Sequence, residues 1–326
     1  MISAAGSRHE GRVENVSFLK HDIGTNIAHG KSRLNRHLNS RIDKQLMMTF
    51  RGERLAKTKL PPGTLWLLEK LAESREKQAL YEKQCRRILK SLQEIALIEG
   101  VESSNHIDGV TVEPERLRLL VFGDARPRDR SEEEIIGCRN ALSWVHGNHG
   151  KVPIEPEILR RLHALAQEGT IGDAGEWKES QNEIVELDPE GRLEVRFQPV
   201  EPTLVPSAVE ELCLAYKHSI DQSKITPLLA VASLVFDFLC IHPFREANGR
   251  VSRLVTLLSL YHHGYNVGRY ISLERIIEQT KETYYEALQT SSVGWHDGSH
   301  DIMPWFHYFL STIHTAYREF EERAGP

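Results

Sequence analysis

The sequence predicts a mainly α-helical fold that carries one small β-hairpin. Three observations predict it. Apolar residues recur at helical spacing over most of the chain from Thr64 onward. Pro227 and Pro304 stand where first helical turns would begin. Only EIVELDPEGRLEVRF, residues 183–197, alternates with a period of two, on either side of a turn-forming Asp-Pro-Glu-Gly.

Taken in order, residues 1–58 are polar, rich in Arg, Lys, His and Asn, and show little period. They are expected to be a flexible or weakly ordered N-terminal extension. KLPPGTLW (59–66) marks a boundary. From Thr64 to Leu97, the residues Leu65, Leu67, Leu68, Leu71, Leu80, Ile88, Leu89, Leu92 and Ile95 follow one helical stripe, in one long helix or two abutting ones. Ser131 with Glu134 reads as a capping box before Ile135. Helices are expected over 155–167, 206–220, 227–240, 249–263, 273–288 and 304–322, with the hairpin between the first two. The organisation is an extension (1–58), an N-terminal helical region (59–128) and a core with C-terminal helices (129–326).

Composition narrows the function. The 326 residues are 40% hydrophobic, enough for a sizeable core, and 27% charged. A formal net charge of −5 argues against a general nucleic-acid binder. Cys85, Cys138, Cys213 and Cys240 lie far apart with no C-x-x-C pair, which points to reduced thiols and a cytoplasmic protein. No apolar run reaches the length of a membrane span, and MISAAGSRHEGR has no apolar leader core, so no membrane partner is expected. The pairs His146/His149 and His296/His300 lack a third ligand at a convincing spacing, so zinc is not expected. His262 and His263 are expected to face the negative end of a helix dipole.

The chemistry concentrates in IHPFREANGRVSRL, residues 241–254. TPLLAVASLVFDFLC is apolar nearly all round and should be a buried helix. Pro243 moves His242 out of the right-handed α region and ends it. A turn through Glu246-Ala247-Asn248-Gly249 then starts a new helix, whose free N–H groups and dipole suit phosphate. Arg250 and Arg253 share a face one turn apart, within reach of an anion placed there. Glu246 is an acid suited to hold Mg²⁺ against phosphate oxygens. The unperturbed pKa of His242 suits general-base work. Singly, each residue has a bland reading as a structural histidine or a solvated helix cap; their convergence over 242–253 points to phosphoryl or nucleotidyl transfer.

This stretch resembles the signature of the Fic (Fido) family, H-P-F-x-[D/E]-G-N-G-R-x-x-R, with Ala247 where glycine is usual. GDAGEWKESQNEIVEL resembles the segment entering the family's flap, IEPEILRRLHALAQEG the helix before it, and ISLERIIEQTKETYYEAL and MPWFHYFL the helices that close the core. The similarity runs from about Leu60 to Glu322, and no winged-helix module is expected after ERAGP. An alanine at 247 preserves the phosphate cradle if its φ is negative and costs stability if φ must be positive.

The resemblance implies a Fic-type helical core with a hairpin flap, and a protein adenylyltransferase. Its substrate is ATP, its cofactor Mg²⁺, and its acceptor a Ser, Thr or Tyr hydroxyl of a protein, possibly the enzyme itself. It implies His242 as base, Glu246 as Mg²⁺ ligand, and Ala247, Asn248, Gly249, Arg250 and Arg253 as phosphate contacts. It implies Tyr284 and Ser292 as nucleoside contacts, and Asn182, Glu183, Ile184 and Val185 as the flap that docks a target. A family inhibitory helix, [S/T]-x-x-x-E-[G/N], is matched at residues 103–109 by Ser104 through Gly109 with Asp108 for glutamate; Ile98-Glu99-Gly100 is the rival. The shorter acid needs a closer backbone or a water to reach Arg253, and implies weaker autoinhibition. Self-association as a homodimer is left open. Other readings are the same fold with another outcome (phosphotransfer, another nucleotide donor, removal of AMP), a non-catalytic nucleotide-binding module, and a DNA-binding regulator.

Overall fold

The computed structural model describes residues 48–325, except 52–53, 124, 149, 151, 171–172, 188–192 and 223–224. Residues 1–47 of the expected extension, and the Asp-Pro-Glu-Gly of the hairpin, lie outside the described residues.

After a short helix α1 (Arg54–Lys57), α2 (Pro62–Gln84) opens with Pro62 in its first turn, where the missing N–H costs nothing. The stripe expected from 64 to 97 is two abutting helices. Cys85, at φ −116° and ψ 37°, breaks the run, and α3 (Arg86–Ile107) starts at once. Helix α4 (Pro114–Phe122), which the periodicity did not single out, buries Leu117, Leu120 and Val121. Helices α5 (Arg130–Asn148) and α6 (Pro156–Ala166) follow. The capping box expected at Ser131 does not form. Asp129 Oδ1 accepts from the Glu132 N–H at 3.0 Å, and Glu134 turns instead toward Arg250.

Strands β1 (Ile184–Leu187) and β2 (Leu193–Phe197) pair antiparallel as the expected hairpin. Four helices follow: α7 (Val205–Asp221), α8 (Pro227–Ile241), α9 (Asn248–His262) and α10 (Leu273–Gln279). The helix expected over 273–288 is interrupted at Thr280, whose hydroxyl bonds to the Ile276 carbonyl at 2.8 Å and competes with the backbone ladder. Helix α11 (Lys281–Ser292) resumes it, and α12 (Met303–Ala324) ends the described chain.

The core sits on α8 and α9. Every side chain from Leu228 to Ile241 is buried, and α9 is buried from Arg250 to Tyr261. Helices α7 and α12 flank α8; α5 and α6 cover α9; α3 lies on α5 and α10. Each large apolar side chain so enclosed contributes about 1.5–3 kcal/mol. Among the described residues no helix is long and apolar enough to cross a membrane.

The end of the expected extension is docked rather than loose. Met48 is buried, and the Thr49 N–H and hydroxyl bond to the carboxylate of Asp237 in mid-α8 at 2.9 and 2.7 Å. Trp295 Nε1 donates to the same carboxylate at 2.8 Å, and His300 Nε2 lies 3.1 Å from Thr49 Oγ1. Burial raises Asp237 to about 6 against these stabilising hydrogen bonds. A polar segment gains a fixed place here because a buried carboxylate needs donors.

Candidate active site

The loop between α8 and α9 turns through two left-handed residues, His242 (φ 51°) and Ala247 (φ 58°). Pro243 does eject His242 from the right-handed region, into the left-handed one rather than an extended one. The positive φ at Ala247 is the costly alternative for a residue with a Cβ. The loop is pinned by its own side chains. Phe244 is fully buried between the His163 ring, stacked at 3.9 Å, and Trp177 at 5.0 Å. Asn248 is also buried; its Oδ1 accepts from the Phe244 N–H at 2.9 Å, and its Nδ2 donates to the Phe244 carbonyl at 2.7 Å. The Asn248 side chain therefore shapes the loop from behind, and only its backbone stands at the helix start.

His242 caps α8 with its N–H on Phe238 O and its Nδ1 3.2 Å from Leu239 O. A carbonyl only accepts, so Nδ1 carries the ring proton and Nε2 keeps its lone pair. Burial pushes this histidine down to about 4, partly opposed by the Leu239 hydrogen bond, with the charge of Lys178 adding to the fall. It is neutral at pH 7.

At the start of α9 the expected anion site holds an internal anion. Arg253 Nη2 donates to Asp108 Oδ1 and Oδ2 at 3.2 and 3.3 Å. Arg250 Nη2 lies 3.2 Å from Asp108 Oδ2 and 3.1 Å from Glu134 Oε2. A Cβ on Gly249 would come 3.7 Å from Asp108 Oδ1, so the carboxylate lies over the helix N-terminus. Ser104 supplies its hydroxyl to Arg253 Nε and Nη2 at 3.2 and 3.0 Å, and its carbonyl to Nη2 at 3.0 Å.

The sequence around Asp108 explains its reach. Gly109 adopts φ 83°, and the Val110 and Gly109 N–H groups bond to the carbonyls of Asn105 and His106 at 2.9 and 3.0 Å. This glycine-dependent cap ends α3 and brings the shorter acid into direct contact with both arginines. The rival Glu99 points elsewhere, pairing with Arg275 at 3.2 Å.

A cavity of about 590 Å³, within the usual range for small-molecule sites, opens here. Its walls include Asp108, His242, Gly249 and Arg253, and also Tyr284 and Ser292 of α11 and Glu183, Ile184 and Val185 of the hairpin. Ser104, Asn182, Glu246, Ala247, Asn248 and Arg250 are not in its wall. Tyr284 is buried, packed on Tyr285, Trp305 and Tyr308. Asn182 ties the hairpin to the loop: its Nδ2 donates to Phe244 O at 3.0 Å, and its Oδ1 accepts from Lys178 Nζ at 2.7 Å. Glu246 is half exposed and paired with Arg130 Nη2 at 2.8 Å.

Residues 153–260 match the model of the Fic/DOC family. The chain carries a Fic/DOC family domain. Solved structures share the fold. A Fic family protein from Desulfovibrio desulfuricans is 20% identical with a TM-score of 0.66, over 81% of this chain and 76% of that one. A Fic domain containing signaling protein from Bacteroides thetaiotaomicron is 21% identical with a TM-score of 0.66, over 78% and 96%. Fic-1 from C. elegans is 18% identical with a TM-score of 0.62, over 79% and 72%. The mainly helical architecture with a single small two-stranded sheet among the described residues is the Fic fold.

Around the Fic loop the structure adds residues that periodicity and motif did not reveal. Glu134 holds Arg250 and, through Oε1, Arg130 at 3.2 Å. Its capping-box pattern masked this use. Lys178 is buried beside the loop, with its N–H on Pro243 O at 2.9 Å, and burial lowers it to about 8. His163, Arg130 and Arg196 complete the set, and none stands at a diagnostic spacing in the sequence. His263, expected to face the negative end of a helix dipole, stands at the C-cap of α9; burial pushes it down to about 4, and it lies 2.9 Å from the Tyr216 hydroxyl.

Proposed function

We propose that this Fic-type protein transfers AMP from Mg²⁺-ATP to a Ser, Thr or Tyr hydroxyl of a protein, itself included, and that α3 restrains it. The observation that carries this reading is the Asp108 carboxylate, bridging Arg250 and Arg253 over the N-terminus of α9. An internal carboxylate in such a cradle stands in for a phosphate, and its departure leaves two arginines and a helix terminus for the nucleotide.

In this reading the neutral Nε2 of His242 takes the proton of the acceptor hydroxyl. The hydroxyl oxygen forms a bond to the α-phosphorus, and the bond from that phosphorus to the pyrophosphate oxygen breaks. N–H groups at the start of α9 face the charge that develops on the α-phosphate. Arg250 and Arg253 hold the leaving side. The β1 edge at Glu183–Val185 can take an extended target segment as an added strand. Asn182 and Lys178 keep that edge in register with His242 through the Phe244 and Pro243 carbonyls.

Among the described residues no cluster of three or more acids, histidines or cysteines could cage a metal. A single carboxylate at Glu246 suits Mg²⁺, which keeps waters and takes its other ligands from substrate phosphates. Bound there, the ion neutralises phosphate charge. The unpaired cysteines suit a reducing cytoplasm.

The test uses ATP radiolabelled at the α- or the γ-phosphate, with wild type, His242→Ala and Asp108→Gly. Label on protein from the α-position alone, absent in His242→Ala and increased in Asp108→Gly, is the expected result. Label from the γ-position, or none in any lane with lysate added as target, overturns AMP transfer.

A further inference from the structure

The hairpin contains an irregularity that aims one cation at the cavity. Ile184 pairs with Phe197 but Val185 pairs with Val195, so β2 holds one extra residue, Arg196, opposite that step. In a regular strand Arg196 would point away from the face that carries Val195 and Phe197. The bulge breaks this alternation. Val195 is 54% exposed, whereas Arg196 and Phe197 both line the cavity that contains His242, Gly249 and Arg253.

Among the described residues Arg196 also has no partner. Its Nε is buried and has no acceptor, and the side chain makes no ion pair or hydrogen bond with any described residue. A guanidinium in such a place lacks the acceptors its planar fork is built to engage. It shares the cavity wall with Cys240 of α8 and Tyr285 of α11, and its positive charge bears on both groups. The other charged cation in the wall, Arg253, is already neutralised by Asp108, and His242 is uncharged at pH 7. Among the described residues Arg196 is thus a cation of the cavity wall with no hydrogen-bond or ion-pair partner, in a wall that also carries the Glu183 carboxylate. A cavity that joins this guanidinium to a helix N-terminus suits a ligand with several charged oxygens, which a phosphate supplies.

We propose that Arg196 is a second anion contact of this cavity, binding a phosphate oxygen of the nucleotide independently of Arg253 and while Asp108 is still in place. The proposal rests on the nucleotide reading of the site for its ligand. Such a contact would let a nucleotide enter the cavity before Asp108 leaves.

The test is calorimetric binding of pyrophosphate, AMP and adenosine to the full chain, as wild type, Arg196→Ala and Arg196→Lys. In Arg196→Ala the affinity for pyrophosphate and AMP should fall about tenfold, in the range expected for one lost charge-assisted contact. Arg196→Lys should recover part of it, and adenosine should bind all three proteins alike. The melting temperature of Arg196→Ala should stay at or above that of wild type, because the side chain has no partner to lose. Equal binding of pyrophosphate and AMP to wild type and Arg196→Ala overturns the proposal. So does an equal loss for adenosine, which would make Arg196 a stacking surface for the base, and so does a wild type that binds neither anion at millimolar concentration. The two readings fail separately. If Arg196→Ala weakens pyrophosphate binding but no variant, Asp108→Gly included, transfers AMP, the anion contact stands and the AMP-transfer reading falls. If AMP is transferred and Arg196→Ala changes nothing, the reverse holds.

Discussion

Asp108 grips Arg253 with both carboxylate oxygens, at 3.2 and 3.3 Å, from the C-cap of a helix that precedes the loop by more than a hundred residues of sequence. The pair is partly buried, so removing the acid leaves the guanidinium, among the described residues, with Ser104 alone as a close acceptor. Asp108→Gly is therefore expected to lower the stability of the ligand-free protein by about 1–3 kcal/mol. The same variant should bind ATP about tenfold more tightly and regain its melting temperature when ATP is added. Thermal melts with and without nucleotide check this. A variant that is unchanged in both would detach Asp108 from nucleotide binding.

Ala247 at φ 58° carries strain of about 1–2 kcal/mol that glycine would not. The greater freedom of glycine in the unfolded chain offsets about 0.5–1 kcal/mol of that. Ala247→Gly should thus gain about 0.5–1 kcal/mol, read as a rise of about 1–2 °C in melting temperature. A fall would place the strain elsewhere in the loop.

Because burial holds His242 near 4, its Nε2 is already free of a proton at pH 6. Transfer rates should be flat from pH 8 to about 6 and should decline only toward 4, with no step at the ordinary histidine value of about 6.5. A rate profile across that range decides it. A half-maximal point near 6.5 would mean that the ring is solvated when it works.

Acid stability follows from the same groups. His163, His242, His263 and His300 are each lowered to about 4 by burial. A depressed histidine contributes stability that is complete above its unfolded value of about 6.5 and is lost as pH falls toward 4. Asp237 runs the other way: raised to about 6, it favours the fold progressively as pH falls from 6 toward its ordinary value. The histidines outnumber it, so net stability should drop on acidification from pH 6.5 to 4.5. His163 and His300 alone, both buried, bring the drop to the order of a few kcal/mol. Denaturant midpoints at the two pH values measure it, and Asp237→Asn should steepen the dependence.

Asn248→Ala should cost about 2 kcal/mol through the two lost hydrogen bonds to the Phe244 backbone. Because the amide fixes the loop, nucleotide affinity should fall as well, in proportion to the disorder of residues 243–247. Isotope exchange at the Phe244 N–H, normally held by Asn248 Oδ1, reports the loosening directly.

Much of this was legible in the chain. The buried α8, the prolines at its start and end, and the sharp turn into α9 follow from local pattern, because apolar periodicity and proline stereochemistry act over a few residues. The pairing of Asp108 with Arg253 was readable only through resemblance, since nothing local tells an acid at a helix end which arginine it will meet. Ala247 left its φ open, and only the fold decides it. Glu134 misled because a capping acid and a buried ion-pair acid look alike in sequence. Arg196 stayed invisible for a related reason: a bulge is a mismatch between two strands, and neither strand alone records it. Thr49 gained its place from Asp237, an acid buried in a helix that otherwise looked wholly apolar.

The cap that ends α3 has a kinetic consequence. Asp108 hangs beyond Ile107 on three short-range bonds, those of the Asp108, Gly109 and Val110 N–H groups to Asn105 and His106, with Lys281 Nζ reaching the Ile107 carbonyl at 3.0 Å. Helix termini fray far more readily than their interiors. On the proposed reading, unravelling of this one turn would free the arginines while the rest of α3 stays packed on α10. The restraint would then open as a local melting event, set by temperature, by helix-end chemistry and by whatever grasps the loosened turn.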